Sequence, residues 1–263
     1  MSTGIWHHPA TMPSSLDLLE WLRASCATYE FDVVAVFRRA GNHPWPLTAA
    51  NEQELEQRLG EGGHLLPLPR EPAALANVLE VSIVDFVLRR AAEVPGAEAR
   101  RGSERGYPDI EMSGPAFGDG YHAVDVKAAR RATSGKSTKS RITLYTGNSY
   151  FRYPRLRFSG AFRPFEAYIS HLDIVAIYTF DPDSPAGVRD LELIVHPAWR
   201  IASRRRSSTT REYIGAVTSI EDLRRGKGEF ETAEEFYRFW RAYDFRITKQ
   251  VQRELDKLLA GQQ

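Results

Sequence analysis

The run Tyr121-His-Ala-Val-Asp-Val-Lys-Ala128 constrains this chain more than any other segment. Its apolar content and alternation are those of a strand, in which side chains two apart project from the same face. Asp125 and Lys127 therefore point together. Sixteen residues before Asp125 stands Asp109, in Tyr107-Pro-Asp109. An aspartate arriving from that neighbouring segment completes a cluster of two hard oxygen ligands and one ammonium, which suits holding a metal ion against a phosphate. By residue type alone, Tyr-Pro-Asp also opens a turn and Asp-x-Lys also makes an ion pair on a strand edge. The surroundings have to decide.

Charge placement is the first of these. The net charge of the 263 residues is only +1, yet no acidic residue lies between Asp125 and Glu166, an interval that carries Lys127, Arg130, Arg131, Lys136, Lys139, Arg141, Arg152, Arg155, Arg157 and Arg163. A second acid-free stretch holds Arg200, Arg204, Arg205, Arg206 and Arg211. Such runs are commonly solvated surface, but a phosphate backbone beside the site requires a segment of this kind. The aromatics among these charges, Tyr145, Tyr150, Phe151 and Tyr153, suit a core or contact with nucleotides equally. With 42% hydrophobic residues the chain has material for a substantial core. No run approaches the ~20 apolar residues of a membrane span, and the N-terminal segment has no basic region followed by an apolar stretch, so a cytoplasmic protein without membrane contact is expected. The single cysteine, Cys26, excludes an intramolecular disulfide and a multi-cysteine zinc site; in a predicted helix it reads as a small buried residue.

Elements follow from periodicity and capping. Ser14-Ser15 caps a predicted helix to about Tyr29, and Phe31 to Leu47 reads as two short strands around the turn Ala40-Gly-Asn-His43. Residues 48–70 read as a short helix and a loop. Pro72 begins a long helix to about Ala92 with apolar Leu75, Leu79, Ile83, Phe86 and Val87. Glu80 shares a face of that helix with Val84 and Val87. It is either a boundary residue reaching for water or an inward carboxylate with a functional partner. Ile142 to Tyr145 suggests a strand and Pro164 to His171 a helix. Leu172–Phe180 and Leu191–His196 read as core strands, Thr232-Ala-Glu-Glu235 as a capping box, and Ile247 to Leu259 as a final amphipathic helix. Strands interleaved with helices predict a mixed α/β sheet.

Two motifs fail. Thr133-Ser-Gly-Lys-Ser-Thr138 imitates the end of a Walker loop, but Arg130 stands where its first glycine is required, and a basic loop is the better reading. The histidines form no metal-binding pair on a helix, and Gly226-Lys-Gly228 reads as a turn.

Taken together, the chain resembles EcoRV-like type II restriction endonucleases, members of the Pro-Asp…Asp/Glu-x-Lys nucleases. Tyr107-Pro-Asp-Ile and Val124-Asp-Val-Lys127 match the family's catalytic strands at the same interval. Pro164 to His171 and Ile177-Tyr-Thr179 look like the helix and strand after the site, and Ser208-Thr-Thr210 with Ile214-Gly215 resembles the recognition loop. Gly226 to Phe230 and Phe239 to Tyr243 are similar to the region beyond it, and Phe31 to Leu47 to a dimerisation hairpin. The likeness runs from about residue 15 to 245.

The resemblance implies a restriction-endonuclease-like α/β core, a mixed sheet of five to six strands flanked by helices, with a small N-terminal dimerisation hairpin. It implies one catalytic and DNA-binding domain over 1–263, with about 15–48 serving dimerisation and 49–263 catalysis and DNA binding. It further implies a homodimer that hydrolyses double-stranded DNA at a short palindromic site, leaving blunt ends with 5′-phosphates. Asp109 and Asp125 would hold Mg²⁺, Glu80 would serve a second metal position, and Lys127 would orient water and neutralise charge on the phosphate. Ser103, Glu104 and Arg105 would approach the minor groove. Arg204, Arg205, Arg206, Ser207, Ser208, Thr209 and Thr210 would enter the major groove. A host would also need a cognate methyltransferase, without direct contact. Here Arg205, Arg206, Ser207 and Ser208 replace the glycines and asparagine of the EcoRV loop, and Ala129 replaces a threonine. Arginine pairs with guanine, so a site richer in G·C is expected where these side chains reach bases; phosphate contact is the alternative. The same catalytic set fits a repair or junction-resolving nuclease, and the fold alone a non-catalytic DNA-binding protein. The loop and hairpin resemblances weigh against the first, the presence of all four site residues against the second.

Overall fold

The computed structural model describes residues 15–31, 50–51, 53–54, 57, 72–103, 106–146, 148–184, 186–208, 213–246 and 248–261. A five-stranded mixed sheet lies at the centre, in the spatial order β1 (Glu98–Arg101), β2 (Ile110–Ser113), β3 (Tyr121–Arg130), β5 (Tyr168–Phe180) and β6 (Val188–Pro197). Neighbours run antiparallel except β3 and β5, which are parallel and set Asp125 beside Asp173. A separate antiparallel sheet joins β4 (Thr143–Tyr145), β8 (Ile214–Ala216) and β7 (Ala202–Arg206), in that order.

Alternation along the central strands divides the core in two. Val124 and Val126 of β3, with Ile174 and Ala176 of β5, face helices α1 (Leu18–Cys26) and α2 (Pro72–Ala92). In α2, Ile83 and Val87 supply this contact one turn apart. Leu75 and Leu79, earlier in the same stripe, pack on Tyr178. Ala123 and Ala129 of β3 and Val175 and Ile177 of β5 face the other way, onto an aromatic core with Tyr107, Tyr145, Phe151, Phe165, Phe236 and Trp240. Each fully buried large side chain contributes about 1.5–3 kcal/mol through area removed from water. Asp125 and Lys127 share this second face, between Ala123 and Ala129.

The aromatic side is closed by α3 (Asn148–Arg152), the single turn α4 (Ala198–Ile201), α5 (Ile220–Arg225) and α6 (Ala233–Ala242), with α7 (Lys249–Ala260) beyond. The predicted capping box holds α6: Thr232 accepts from the Glu235 N–H, and the Glu235 carboxylate accepts from the Glu231 N–H. Gly226 ends α5 with φ of 60°, and a Cβ there would lie 2.7 Å from the His196 ring, so both conformation and space demand glycine.

Several expectations shift. Helix α1 is capped by Asp17, whose carboxylate accepts from the Glu20 N–H, and it ends at Cys26, where Thr28 and Tyr29 turn back onto Ser25 and Cys26. Pro164 to His171 is not a helix. Phe165–Ala167 makes one 3₁₀ turn, and β5 begins at Tyr168 because pairing with β3 from Tyr121 onward captures the segment. Helix α5 was not foreseen. The Walker-like stretch is a loop closed by a bridge between Arg131 and Thr138, with no helix following. Cys26 is buried, and burial pushes its thiol up to about 12. Ser14 and the hairpin beyond Phe31 lie outside the described residues.

Glu111 ties the start of β5 to β2. Buried on β2, it accepts from Arg163 (2.9 and 3.3 Å), Arg100 (3.0 Å) and the Tyr168 hydroxyl (3.0 Å). Substituting Glu111→Ala leaves the buried Tyr168 hydroxyl without this acceptor and removes both arginine pairs, and is expected to cost about 1–3 kcal/mol. Urea unfolding checks this as a lower midpoint at unchanged slope, and a loss under about 1 kcal/mol would contradict the anchoring role.

Candidate active site

The site forms where β2 leaves β3. Their ladder ends with Ile110 opposite Val124, and the preceding residue, Asp109, turns across the strand instead of extending it. Its N–H donates to Asp125 Oδ1 at 3.0 Å, and its own Oδ2 accepts from the Val126 N–H at 2.8 Å. Two residues along the same edge, the Ala128 N–H donates to Glu80 Oε1 at 2.9 Å, bringing α2 against β3. Carboxylates thus take the ladder positions that β2 vacates. Lys127 Nζ lies 2.9 Å from Asp125 Oδ2 and 3.7 Å from Asp109 Oδ2.

Asp109 is held from behind. Tyr107, joined to Pro108 by a cis peptide, stacks on Tyr150 and Phe165 and shares a 2.5 Å hydrogen bond with His171 Nδ1. The Gly102 N–H donates to the Asp109 carbonyl at 2.7 Å. In front, Asn77, Glu80, Val81, Val84, Arg101, Gly102, Ser103 and Asp109 line an open cleft of about 480 Å³.

Electrostatics records the crowding. Burial, then the neighbouring Asp125 charge, pushes the Asp109 carboxyl up to about 6, against the pull of Lys127 and the Val126 N–H. Burial also raises Glu80, opposed by the Ala128 hydrogen bond and by Lys127. Burial works against the Lys127 charge, yet Asp125, Asp109 and Asp173 hold its ammonium well above the ordinary lysine range. The arrangement can neutralise a developing negative charge and offer carboxylate oxygens to a cation. Among the described residues, no group of three or more histidine, cysteine, aspartate or glutamate side chains is arranged to hold a metal ion. Asp109, Asp125 and Lys127 converge, whereas Glu80 joins them from the flank.

Three neighbours escaped the sequence reading. Asp173 is 2% exposed beside Asp125 on β5, and burial followed by the Asp125 charge raises its carboxyl well above the usual range. Its signal was a lone acid inside the apolar run Leu172–Phe180, one residue type out of pattern. Tyr107 and His171 signal nothing without the tertiary contact between them; burial lowers the His171 imidazole to about 3, so it is neutral.

The candidate DNA-facing residues separate. Ser103 lines the cleft with Asp109. Arg204 is folded back onto α6: its N–H donates to Glu229, its guanidinium pairs with Glu235, and the head lies 4.6 and 5.0 Å from the Phe230 and Phe239 rings. Arg205 is exposed at the end of β7, and the Ser207 hydroxyl accepts from Thr143 at 2.7 Å. Glu104, Arg105, Thr209 and Thr210 lie outside the described residues. Tyr145 and Phe151 are core, which settles their reading.

A mixed sheet of this order, flanked by helices, defines an α/β protein of the restriction-endonuclease-like fold. The model of the EcoRV restriction endonuclease family matches residues 42–260, and the chain belongs to that family. It is 23% identical over 199 residues to the type II restriction enzyme EcoRV of Escherichia coli, covering 69% of this chain and 79% of the relative. Among the described residues no helix is long and apolar enough to cross a membrane.

The raised carboxyls carry a pH dependence. Asp109 moves from 3.8 to about 6, so the folded chain holds its proton more tightly than the unfolded chain. That contribution is full below the unfolded value and is lost as pH rises through the folded one. In EDTA, the thermal midpoint is expected to fall between about pH 4 and 6, and Asp109→Asn to flatten the fall. An equally steep profile in the variant would remove Asp109 as the cause.

Proposed function

We propose that this protein is a Mg²⁺-dependent type II restriction endonuclease that acts as a homodimer on double-stranded DNA. It cuts a short palindromic site, leaving blunt ends with 5′-phosphates and 3′-hydroxyls. The observation that carries this reading is the convergence of Asp109, Asp125 and Lys127 at the point where two strands part, beside an open cleft. Membership of the family and the likeness to a named type II restriction enzyme support it. A twofold dimer matches a palindrome by placing one such site on each strand.

The donor set fits magnesium. Mg²⁺ is commonly held by one or two carboxylates together with water and substrate phosphate, so two aspartates suffice. Their crowding, which lifts Asp109 to about 6, is relieved by a cation. Asp109 and Asp125 would hold a magnesium ion, which would supply charge neutralisation at the phosphate and a lowered pKa for bound water. Glu80, fixed by the Ala128 N–H, flanks the cleft and serves a second position.

The remaining chemistry belongs to the chain. Lys127, kept protonated by its carboxylate neighbours, faces the phosphate, stabilises the negative charge that grows there and orients the attacking water. Asp125 Oδ1 and the Asp109 N–H lock the two ligand segments together, so neither carboxylate must reorganise as DNA enters. No covalent intermediate is needed. Arg205 and Arg206 extend to the loop that reads the major groove, and Ser103 opens toward the minor groove.

Incubation with a plasmid of known sequence tests this directly. Discrete double-strand fragments are expected with Mg²⁺ and none with EDTA, and Asp109→Asn or Lys127→Met is expected to slow single-turnover cleavage on the order of 10³-fold. Nicking that follows DNA structure rather than sequence, or wild-type rates in Asp109→Asn, would overturn the reading. The double substitution Arg205→Ala, Arg206→Ala is expected to relax or change the cleaved sequence, as read by sequencing fragment ends. An unchanged site would exclude base reading by these arginines.

A further inference from the structure

Ser203 lies in β7 with 0% exposure, two residues before Arg205. Its hydroxyl uses all of its hydrogen-bonding capacity. It accepts from Arg141 Nη1 at 3.0 Å and from the Arg205 N–H at 2.9 Å, and it donates to the Arg205 carbonyl at 3.4 Å. The Ser203 carbonyl accepts from Trp240 Nε1 at 3.2 Å. Arg141 reaches this point by crossing β8, where its Nη1 also donates to the Ala216 carbonyl at 2.7 Å. Gly215 makes the crossing possible, since a Cβ there would lie 2.4 Å from Arg141 Cδ. One arginine, two residues before β4, therefore bonds to β8 and β7 and ends on the hydroxyl that fixes the backbone of Arg205.

We infer that Ser203, through its bonds to Arg141 and Arg205, is a specificity-determining positioning residue, setting the direction in which Arg205 meets DNA. The inference rests on the proposed site-specific nuclease. Ser203 is wholly buried and touches no DNA itself, so its effect passes through Arg205. Bidentate contact between arginine and a base edge tolerates little misplacement, because both hydrogen bonds need the guanidinium plane aligned with the base. Arg204 cannot take the same part, being folded onto α6. Loss of the hydroxyl frees the Arg205 backbone while leaving its charge in place. Discrimination should fall more than affinity.

Ser203→Ala and Arg141→Met test this in the full-length protein. On DNA carrying the cleaved site or single-base-pair variants of it, the ratio of kcat/KM values is expected to drop about 10-fold or more, since one base pair typically sets 10- to 100-fold discrimination. Binding of Ser203→Ala to unrelated DNA, and its salt dependence, should stay within about twofold, because no phosphate contact is lost. Hydrogen exchange of the amides from Arg204 to Ser208, measured without DNA or metal, should quicken in both variants. Unchanged exchange overturns the bracing. Unchanged discrimination, or an equal loss of affinity for all sequences, overturns the positioning role even if exchange quickens. If the wild type prefers no sequence, the site-specific reading itself fails, and with it the specificity role. A preference that persists in both variants removes only the present inference.

Discussion

The candidate site depends on one strand parting from another. Beyond Val124, β3 keeps its partner β5 on one side and loses β2 on the other, which leaves the Val126 and Ala128 N–H groups without ladder acceptors. A buried N–H with no partner costs on the order of 1–3 kcal/mol. Here the acceptors are the carboxylates of Asp109 and Glu80. Backbone donors, rather than mobile side chains, thereby fix where the acids stand, and the same parting opens the cleft in front of them. The placement of the acids and the opening of the cleft have a common origin in that edge.

Behind the edge lies a surface unusually rich in rings for so acidic a place. Tyr107 stacks with Tyr150 and Phe165, and Phe165 stacks with His171 at 3.8 Å between ring centroids. This wall excludes water from the rear of Asp125, Lys127 and Asp173, which strengthens their mutual interaction. It also leaves strain. Asp173 is buried beside the Asp125 and Asp109 charges, offset in part by Lys127, and among the described residues the buried Tyr145 hydroxyl has no hydrogen-bond partner. Clusters of that kind oppose stability and recur where chemistry needs fixed charge.

Much of this was legible in the chain because it is local. Alternation placed Asp125 and Lys127 on one face, helical spacing gave α2 its bounds, and the capping pattern announced α6. Glu80 showed itself as an acid on a partly apolar stripe, and its partner proved to be the Ala128 N–H. The failures are tertiary. Pro164 to His171 has a proline start and suitable residues for a helix, but pairing with β3 offered more. Asp173 became meaningful only when a parallel register set it beside Asp125. Arg204, Arg205 and Arg206 look alike in sequence, and only contact with Glu235, Phe230 and Phe239 shows that Arg204 is spent on packing.

The two sheets meet through contacts of β4. Thr143 of β4 and Arg141, two residues before it, bond to Ser207, just after β7, and to Ser203 within β7. Tyr145, at its inner end, packs against Tyr107, two residues before Asp109. The chain of contact from β7 to Asp109 therefore crosses one three-residue strand and one pair of rings 5.9 Å apart. Packed interiors transmit displacement because they have little free volume to absorb it. Spatial continuity alone does not establish coupling, but it limits where coupling can run. A displacement of β7 would reach Asp109 through β4 and the Tyr107 ring. If β7 carries recognition and Asp109 cutting, as proposed above, packing at Tyr145 and Tyr107 is where the two would join.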